Sequence, residues 1–297
     1  MHHDAIVVGG SFAGLAAALY IARARRKVCV LDTGLPRNRF AEHSHGFFTR
    51  DGSAPRDMLA TARAQLAAYP TVTFVDDAAT DATGEIDEFS VALAQGGTVE
   101  GARLVLAFGL SDDLPAVPGL AERWGVSVVT CPYCHGFEYS DRQLGVLSVS
   151  PLSAHHAMLI AEWGPTTYYL NGAEAPDMAT LTQLAKRRIR IEPAPVKALH
   201  GEGAGLQAIE LGDGRMSAVD FLYTGTRTRF NSDLAERLGC ALDDAPSGSI
   251  VRTDEQKATT VPGVYAAGDI TRGAHSVTWA VSDGVTAGTS LHRSLVF

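Results

Sequence analysis

The sequence predicts an α/β protein of two three-layer domains, one of them split into two segments. Three observations carry that expectation. The chain opens with a short apolar strand that runs into glycines and then into an Ala/Leu-rich helix, a second strand–turn–helix–strand pattern lies mid-chain, and an apolar strand ending in Ala-Gly-Asp lies near the end. The length, 297 residues, fits two domains at roughly 150 residues each. An apolar fraction of 46% with 20% charged residues suits a chain that buries a large core. The net charge of −8, without a Lys/Arg run, lacks the electrostatic footprint that nucleic acid binding needs. No stretch approaches the roughly 18 to 20 consecutive apolar residues of a membrane span, so neither nucleic acid nor membrane is an expected partner. The first apolar run follows two histidines and an aspartate, unlike a signal peptide. Four cysteines are too few for a disulfide-stapled secreted domain, and a cytoplasmic protein is expected.

In chain order, Ala5 to Val8 is fully apolar, as a buried parallel strand is. Gly9-Gly10 breaks it, and Phe12 to Ala24 has helical composition with no internal proline. Val28 to Leu31 reads as the second strand and ends at Asp32. Arg56 to Ala68 reads as a helix stopped by Pro70; Thr71 to Val75, Ser90 to Leu93 and Arg103 to Ala107 read as strands. Gly109 to Gly119, rich in Pro, Gly and Asp, reads as a domain crossing. Beyond it come a strand over Leu144 to Val149, a helix over Leu152 to Trp163 and a strand over Thr167 to Leu170. Asp243 to Gly248 reads as the crossing back, with Ser249 to Val251 starting new extended structure. One domain is therefore expected over 1–112 and 244–297, with an insert over 113–243. A last helix, Trp279 to Ser294, would cover the split domain, and His2 and His3 read as a flexible terminus.

The opening unit carries a dinucleotide fingerprint, Gly9-Gly-Ser-Phe-Ala-Gly14, between strand and helix. Gly9 permits the tight turn, and Gly14 lets helix and strand approach closely. The helix N-terminus offers free backbone N–H groups to a pyrophosphate. Gly10, Ser11, Phe12 and Ala13 line the same turn, Ser11 replacing the usual middle glycine with a small side chain. Asp32 can accept hydrogen bonds from a ribose diol. Both domains are expected to be Rossmann-like.

Cys131-Pro-Tyr-Cys134-His135 is the most informative pentapeptide. Two thiols at this spacing can close a small disulfide, and such motifs lower one thiol pKa toward the range of fast thiolate chemistry. Other readings share the spacing. A c-type haem attachment has the same pattern, here without an export signal. Glutaredoxins carry Cys-Pro-Tyr-Cys at an early helix of a small domain, whereas this pair lies mid-chain. Half a zinc site needs a second ligand pair, and neither Cys29 nor Cys240 has a ligand beside it. Inert structural cysteines are the blandest alternative. The expectation is a redox-active dithiol and no metal; His155-His156, pointing to different faces of a helix, do not suggest a metal site either.

The strand Pro262 to Asp269 resembles that of the flavoprotein disulfide reductases, in which it brings an Asp to the ribityl chain of FAD. Placement of the cysteine pair in the inserted domain resembles the low-molecular-weight thioredoxin reductases, over essentially the whole chain. Within that group, Cys131 to Glu138, Gly10 to Gly14 and Pro36-Arg-Asn-Arg-Phe40 most resemble the FAD-dependent dithiol oxidases, which close intramolecular disulfides in natural products such as holomycin and gliotoxin. The resemblance implies a fold of the pyridine nucleotide-disulfide oxidoreductase type, with FAD as cofactor. It places Gly109, Gly268, Asp269 and the loop residues Arg37, Asn38, Arg39 and His45 along the FAD, and Ser276, Val277 and Thr278 at the isoalloxazine edge. Cys134 would face the flavin, Cys131 would exchange with substrate, and the enzyme would be a homodimer. His135 stands where ordinary thioredoxin reductases carry an acid, and its imidazole could take a proton from an incoming thiol.

An NADPH-linked relative should carry glycines after the first strand of the insert and arginines after the next. This chain has Ser148 and Ser150 at the glycine positions, Pro151 without a backbone N–H, and Glu174 where a 2′-phosphate partner belongs. NADPH binding in the usual manner is expected to be lost. The leading expectation is an oxidase that passes electrons from a small-molecule dithiol to dioxygen. The alternatives are a disulfide reductase fed by ferredoxin or a degenerate NAD(P)H site, acting on a thioredoxin-like protein or a small disulfide, and a flavin redox sensor.

Overall fold

Along Ala5–Val8 alternate side chains enter opposite cores. In the computed structural model, which describes residues 2–297, Ala5 and Val7 pack with Ala17, Ile21, Ala287 and Leu291 of two helices, whereas Ile6 and Val8 pack with Phe89 and Val91 of an antiparallel sheet. Val28–Leu31 alternates in the same way. A strand covered on both faces must be apolar throughout, which is why these runs show no polar alternation. The five parallel strands lie in the order Val264–Ala266, Leu104–Leu106, Ala5–Val8, Val28–Leu31, Val72–Val75. Helices Phe12–Arg23, Pro55–Ala67 and Val277–Ser294 supply the layer on one face. The other face is covered by a four-stranded sheet in the order His2–His3, Thr98–Gly101, Phe89–Leu93, Ala79–Thr83. His2 and His3 are thus not a free terminus: they extend this sheet in register with Glu100 and Gly101, and His3 is buried.

The chain forms two compact units, each built around its own parallel sheet. The first contains the residues up to Arg39, Ser53–Ser111 and Thr228–Phe297; the second contains Phe40–Gly52 and Asp112–Arg227. The return to the first unit therefore falls at Thr228 and not near residue 244. Leu234, Ala235 and Cys240 are buried in the same core as Ile6 and Val8, which ties the intervening segment to the first unit. Asp243 to Gly248 is not a crossing but a hairpin, in which Leu242–Ala245 pairs antiparallel with Gly248–Val251. Pro, Gly and Asp mark tight hairpin turns as readily as linkers.

In the second unit the parallel strands run Val128–Val129, Phe221–Thr224, Leu144–Leu147, Thr166–Tyr169, Arg190–Glu192. Helices Ser153–Ile160 and Met178–Lys186 cover one face through Ala154, Ala157, Ile160 and Leu184. The other face is covered by an antiparallel sheet of Val196–His200, Ala208–Leu211 and Met216–Ala218, whose Leu199, Ile209 and Leu211 are buried. Among the described residues no helix is long and apolar enough to cross a membrane.

The first and last helices of the first unit cross at small residues. A Cβ at Gly284 would lie 2.1 Å from the Ala13 carbonyl oxygen, and one at Gly288 would lie 2.6 Å from that of Ala17. Buried Arg103 holds the far end of the last helix, donating from Nη2 to the Ser294 carbonyl at 2.9 Å and from Nε to its hydroxyl at 3.1 Å. Inserting a methyl group into a packed contact costs about 1–3 kcal/mol. Gly284→Ala should therefore lower stability by about that much, read as a fall in the thermal unfolding midpoint, while Ser282→Ala, at an exposed position of the same helix, should leave it nearly unchanged.

Candidate active site

The dithiol sits on a short helical turn. Cys131 is the N-cap, with extended φ and ψ of −102° and 116°, and Pro132 occupies the first helical position of Pro132–His135. Proline suits that position because its missing N–H would lack an intrahelical partner anyway. Both cysteines are free thiols and partly accessible. They differ sharply as acids. The Cys134 thiol donates to the Cys131 sulfur, and the backbone N–H groups of Cys134 and Tyr133 add to it, so Cys131 is pushed down to about 7. Cys134 goes the other way: as the donor of that bond, in a buried setting, it holds its proton well above the usual thiol range. The exchange-ready sulfur at neutral pH is therefore Cys131.

Two imidazoles stand beside the pair. Burial, aided by the nearby His45, pushes His135 below the usual imidazole range, so it is neutral near pH 7 and accepts rather than donates a proton. The His45 ring lies edge-on to His135 with centroids 6.4 Å apart, and His45 Nδ1 is 3.3 Å from Glu138 Oε1. The sequence places His45 with the FAD loop; the structure places it in the second unit with the dithiol, because residues 40–52 belong to that unit. Behind the turn, Tyr139 stacks on Phe221 at 3.7 Å, fixing the stretch that follows the cysteines. Tyr133 meets Trp163 edge-on at 5.6 Å.

The cofactor residues predicted from opposite ends of the chain meet in the first unit. At Gly9 φ is +116°, and a Cβ there would lie 2.1 Å from the Ala107 carbonyl oxygen; one at Gly14 would lie 1.8 Å from the Gly9 carbonyl oxygen. Gly10 lies against the Asp32 carboxylate. Ser11 is the helix N-cap, but its side chain makes no capping bond, which leaves the first-turn amides of Phe12, Ala13 and Gly14 to an outside anion. Arg37 Nη1 donates to Asp269 Oδ2 at 2.9 Å, joining the loop that also carries Asn38 and Arg39 to the Ala-Gly-Asp strand end. Gly268 packs against Ala13. Ser276 caps the last helix, accepting from the Trp279 amide at 3.1 Å, with Val277 and Thr278 in its first turn. Asp283, buried, accepts from Arg272 and Lys257, each at 2.9 Å, and so pins that helix to the Asp269–Thr271 turn. Gly109 is held by Asn231, whose amide donates to its carbonyl at 3.2 Å. An uncapped helix start, a glycine cradle and two carboxylates fit an FAD pyrophosphate, ribose and ribityl chain.

The second unit repeats the turn with a different outcome. Ser153 Oγ accepts from the Val149 amide at 3.1 Å and the Ser150 amide at 3.2 Å, so the turn amides are already partnered. Tyr168 donates to the Ser148 hydroxyl at 3.0 Å. A cavity of about 500 Å³ beside this turn is lined by Glu174 and Asp177 and by no basic residue.

Sequence reasoning did not single out Ser153, Glu138 as the partner of His45, or Asn231 as site residues. Only Glu138 lies within a recognisable motif; the others act through tertiary partners that no spacing announces. Cys29 and Cys240 lie in the first unit's core, where burial pushes Cys29 up to about 11 and raises Cys240 as well.

A family model described as pyridine nucleotide-disulphide oxidoreductase matches residues 3–284. Thioredoxin reductase tcpT of Claviceps purpurea is 33% identical, over 96% of this chain and 92% of the relative. Thioredoxin reductase aclD of Aspergillus oryzae is 32% identical, over 99% and 96%. Among solved structures, an oxidoreductase from Agrobacterium tumefaciens matches with a TM-score of 0.96 at 44% identity, covering 100% of this chain and 99% of that one. HlmI matches with a TM-score of 0.93 at 36% identity, covering 99% and 93%.

The cysteine asymmetry has a measurable pH signature. A thiol held near 7 is thiolate above that pH and loses reactivity as pH falls through it. Alkylation of Cys131 by iodoacetamide should have its midpoint near pH 7. Cys134→Ala removes the largest cause of the shift, so the midpoint should climb toward the ordinary thiol value of about 8.5. An unchanged midpoint in that variant would refute the assigned cause.

Proposed function

The chain belongs to the pyridine nucleotide-disulphide oxidoreductase family, and from that membership we propose that it is an FAD-dependent dithiol oxidase that works without pyridine nucleotide. It is a flavoprotein oxidoreductase of thioredoxin reductase-like type; the proposal concerns its direction, electron acceptor and substrate. The observation that carries it is the contrast between the two strand–turn–helix units. Both helix starts lack a side-chain cap, but in the second unit the turn amides of Val149 and Ser150 are taken by Ser153 Oγ and an acidic cavity lies alongside. A pyrophosphate needs those amides, and a carboxylate at Glu174 repels a 2′-phosphate. Electrons are then supplied by the thiol substrate.

In the working direction the Cys131–Cys134 disulfide is the oxidant for the substrate. One substrate thiol gives its proton to neutral His135 and attacks the Cys131 sulfur; the Cys131–Cys134 bond breaks and Cys134 takes up the electron pair. The second substrate thiol passes its proton to Cys134, which holds it well above the usual thiol range and donates to Cys131, and then attacks the substrate sulfur of the mixed disulfide. Cys131 departs as a thiolate, made a good leaving group by its depressed pKa of about 7. The substrate has lost two electrons and two protons and holds a new S–S bond. FAD held at Gly9–Gly14, Asp32 and Asp269 would supply a two-electron acceptor for the reduced cysteine pair, with dioxygen as the terminal oxidant. The sum is dithiol plus dioxygen to disulfide plus hydrogen peroxide. Glu138 offsets the positive charge that builds on His135.

Anaerobic titration tests the reading. A dithiol such as dithiothreitol should bleach the flavin absorbance, NADPH and NADH should not, and admitting air should release one hydrogen peroxide per disulfide formed. Stoichiometric bleaching by NADPH would overturn the proposal in favour of a reductase. Cys134→Ser, which has no Cys131–Cys134 disulfide to be reduced, should neither oxidise a dithiol nor pass its electrons to the flavin. Its Cys131, presented with a preformed disulfide such as 5,5′-dithiobis(2-nitrobenzoate), should form a mixed disulfide and release one thiolate, seen by intact-mass spectrometry, because exchange needs only the Cys131 sulfur.

A further inference from the structure

Strands Val28–Leu31 and Val72–Val75 are paired neighbours, with Leu31 opposite Val75. The residues that follow them, Asp32 and Asp76, therefore emerge side by side at one edge of the first unit's sheet. Arg63, from helix Pro55–Ala67, lies between the two carboxylates. Its Nη1 donates to Asp32 Oδ2 at 3.1 Å, and its Nη2 donates to Asp76. One face of its guanidinium rests on the Phe74 ring, 4.3 Å from the centroid. The other Asp32 oxygen accepts from the Gly34 amide at 3.0 Å, so the carboxylate is held from both sides. A cavity of about 340 Å³ opens here, lined among others by Asp32, Gly34, Arg63, Asp76 and Gln95. A long side chain pinned by two carboxylates and a ring has already lost the rotamer freedom that a ligand contact would otherwise cost.

We propose that Arg63 selects the adenosine half of the cofactor, offering the outer face of its guanidinium to the purine while it holds Asp32 in place for the ribose diol. The inference rests on FAD as the cofactor and is independent of the oxidase reading. Guanidinium planes stack on aromatic rings and on nucleic acid bases, which an ammonium cannot do. The phosphate and ribityl contacts at Gly9–Gly14 and Asp269 recognise features that FMN shares with FAD; a group beyond Asp32 is placed to read the adenine. Arg63 is well placed to do so, because its guanidinium lines the cavity beside the acid.

The test uses the full chain freed of flavin and titrated with FAD, FMN and ADP, following flavin fluorescence and, for ADP, displacement of FAD. Arg63→Met and Arg63→Lys should each weaken FAD and ADP by about tenfold or more, with FMN affinity unchanged. The lysine variant keeps the charge, so it also serves should the methionine variant not fold, and thermal unfolding of each apoprotein reports that directly. Equal weakening of FAD and FMN, or no change in either, overturns the proposal. A wild-type chain that binds neither FAD nor ADP would instead overturn FAD as the cofactor.

Discussion

The approach of two backbones organises the first unit. At Gly284 and Gly288 the last helix comes so near to Ala13 and Ala17 of the first that no side chain fits between them. The contact joins sequence ends more than 250 residues apart in a single helix pair. Ala13 is at once part of the glycine fingerprint, a neighbour of Gly268 and the seat of Gly284. A cofactor read by residues near position 10 and residues near position 270 is bound only if that contact holds. Asp283 extends the same logic, tying the last helix to the Asp269 turn through Arg272 and Lys257. Because it is buried, this cluster is held by charge-assisted bonds that are costly to leave half-made.

The same local architecture serves opposite ends in the two units. A strand, a turn and a helix create a concentration of unpartnered N–H groups wherever they occur. Neither helix start has a side-chain cap, but in the second unit the Ser153 hydroxyl takes the Val149 and Ser150 amides of the turn itself. A third helix start, the short turn at Cys131, spends its amides on a sulfur. One feature of backbone chemistry thus supports an anion site, a closed site and an acidified thiol, and which of these results depends on one or two side chains.

Much of this was legible in the sequence. The central strands of the first unit announced themselves as apolar stretches, and the fingerprint and Cys-Pro-Tyr-Cys motifs pointed to the family, whereas Phe221–Thr224, interior to the second unit's sheet, was not read. Strands such as Arg190–Glu192 and Met216–Ala218 were not legible, because they are three residues long and only partly covered. Asp243 to Gly248 misled because a hairpin and a linker use the same residues. The tie between Leu234 and Ile6 that assigns this segment to the first unit is a tertiary fact without a local signal. Arg63, Ser153 and the His45–Glu138 pair were invisible for the same reason: each draws its role from a partner brought near by folding, at sequence separations from three residues to ninety-three.

Cys29 and Cys240 acquire a different significance in a molecule whose turnover would release peroxide. Peroxide oxidises thiolates, and thiols that hold their protons are poor targets. With Cys29 held at about 11 and Cys240 raised as well, both buried in the sheet core, the two cysteines outside the motif would be kept protonated and away from such a product. Among the cysteines, exposure to oxidation would then fall on the Cys131–Cys134 pair, a form of durability built from burial.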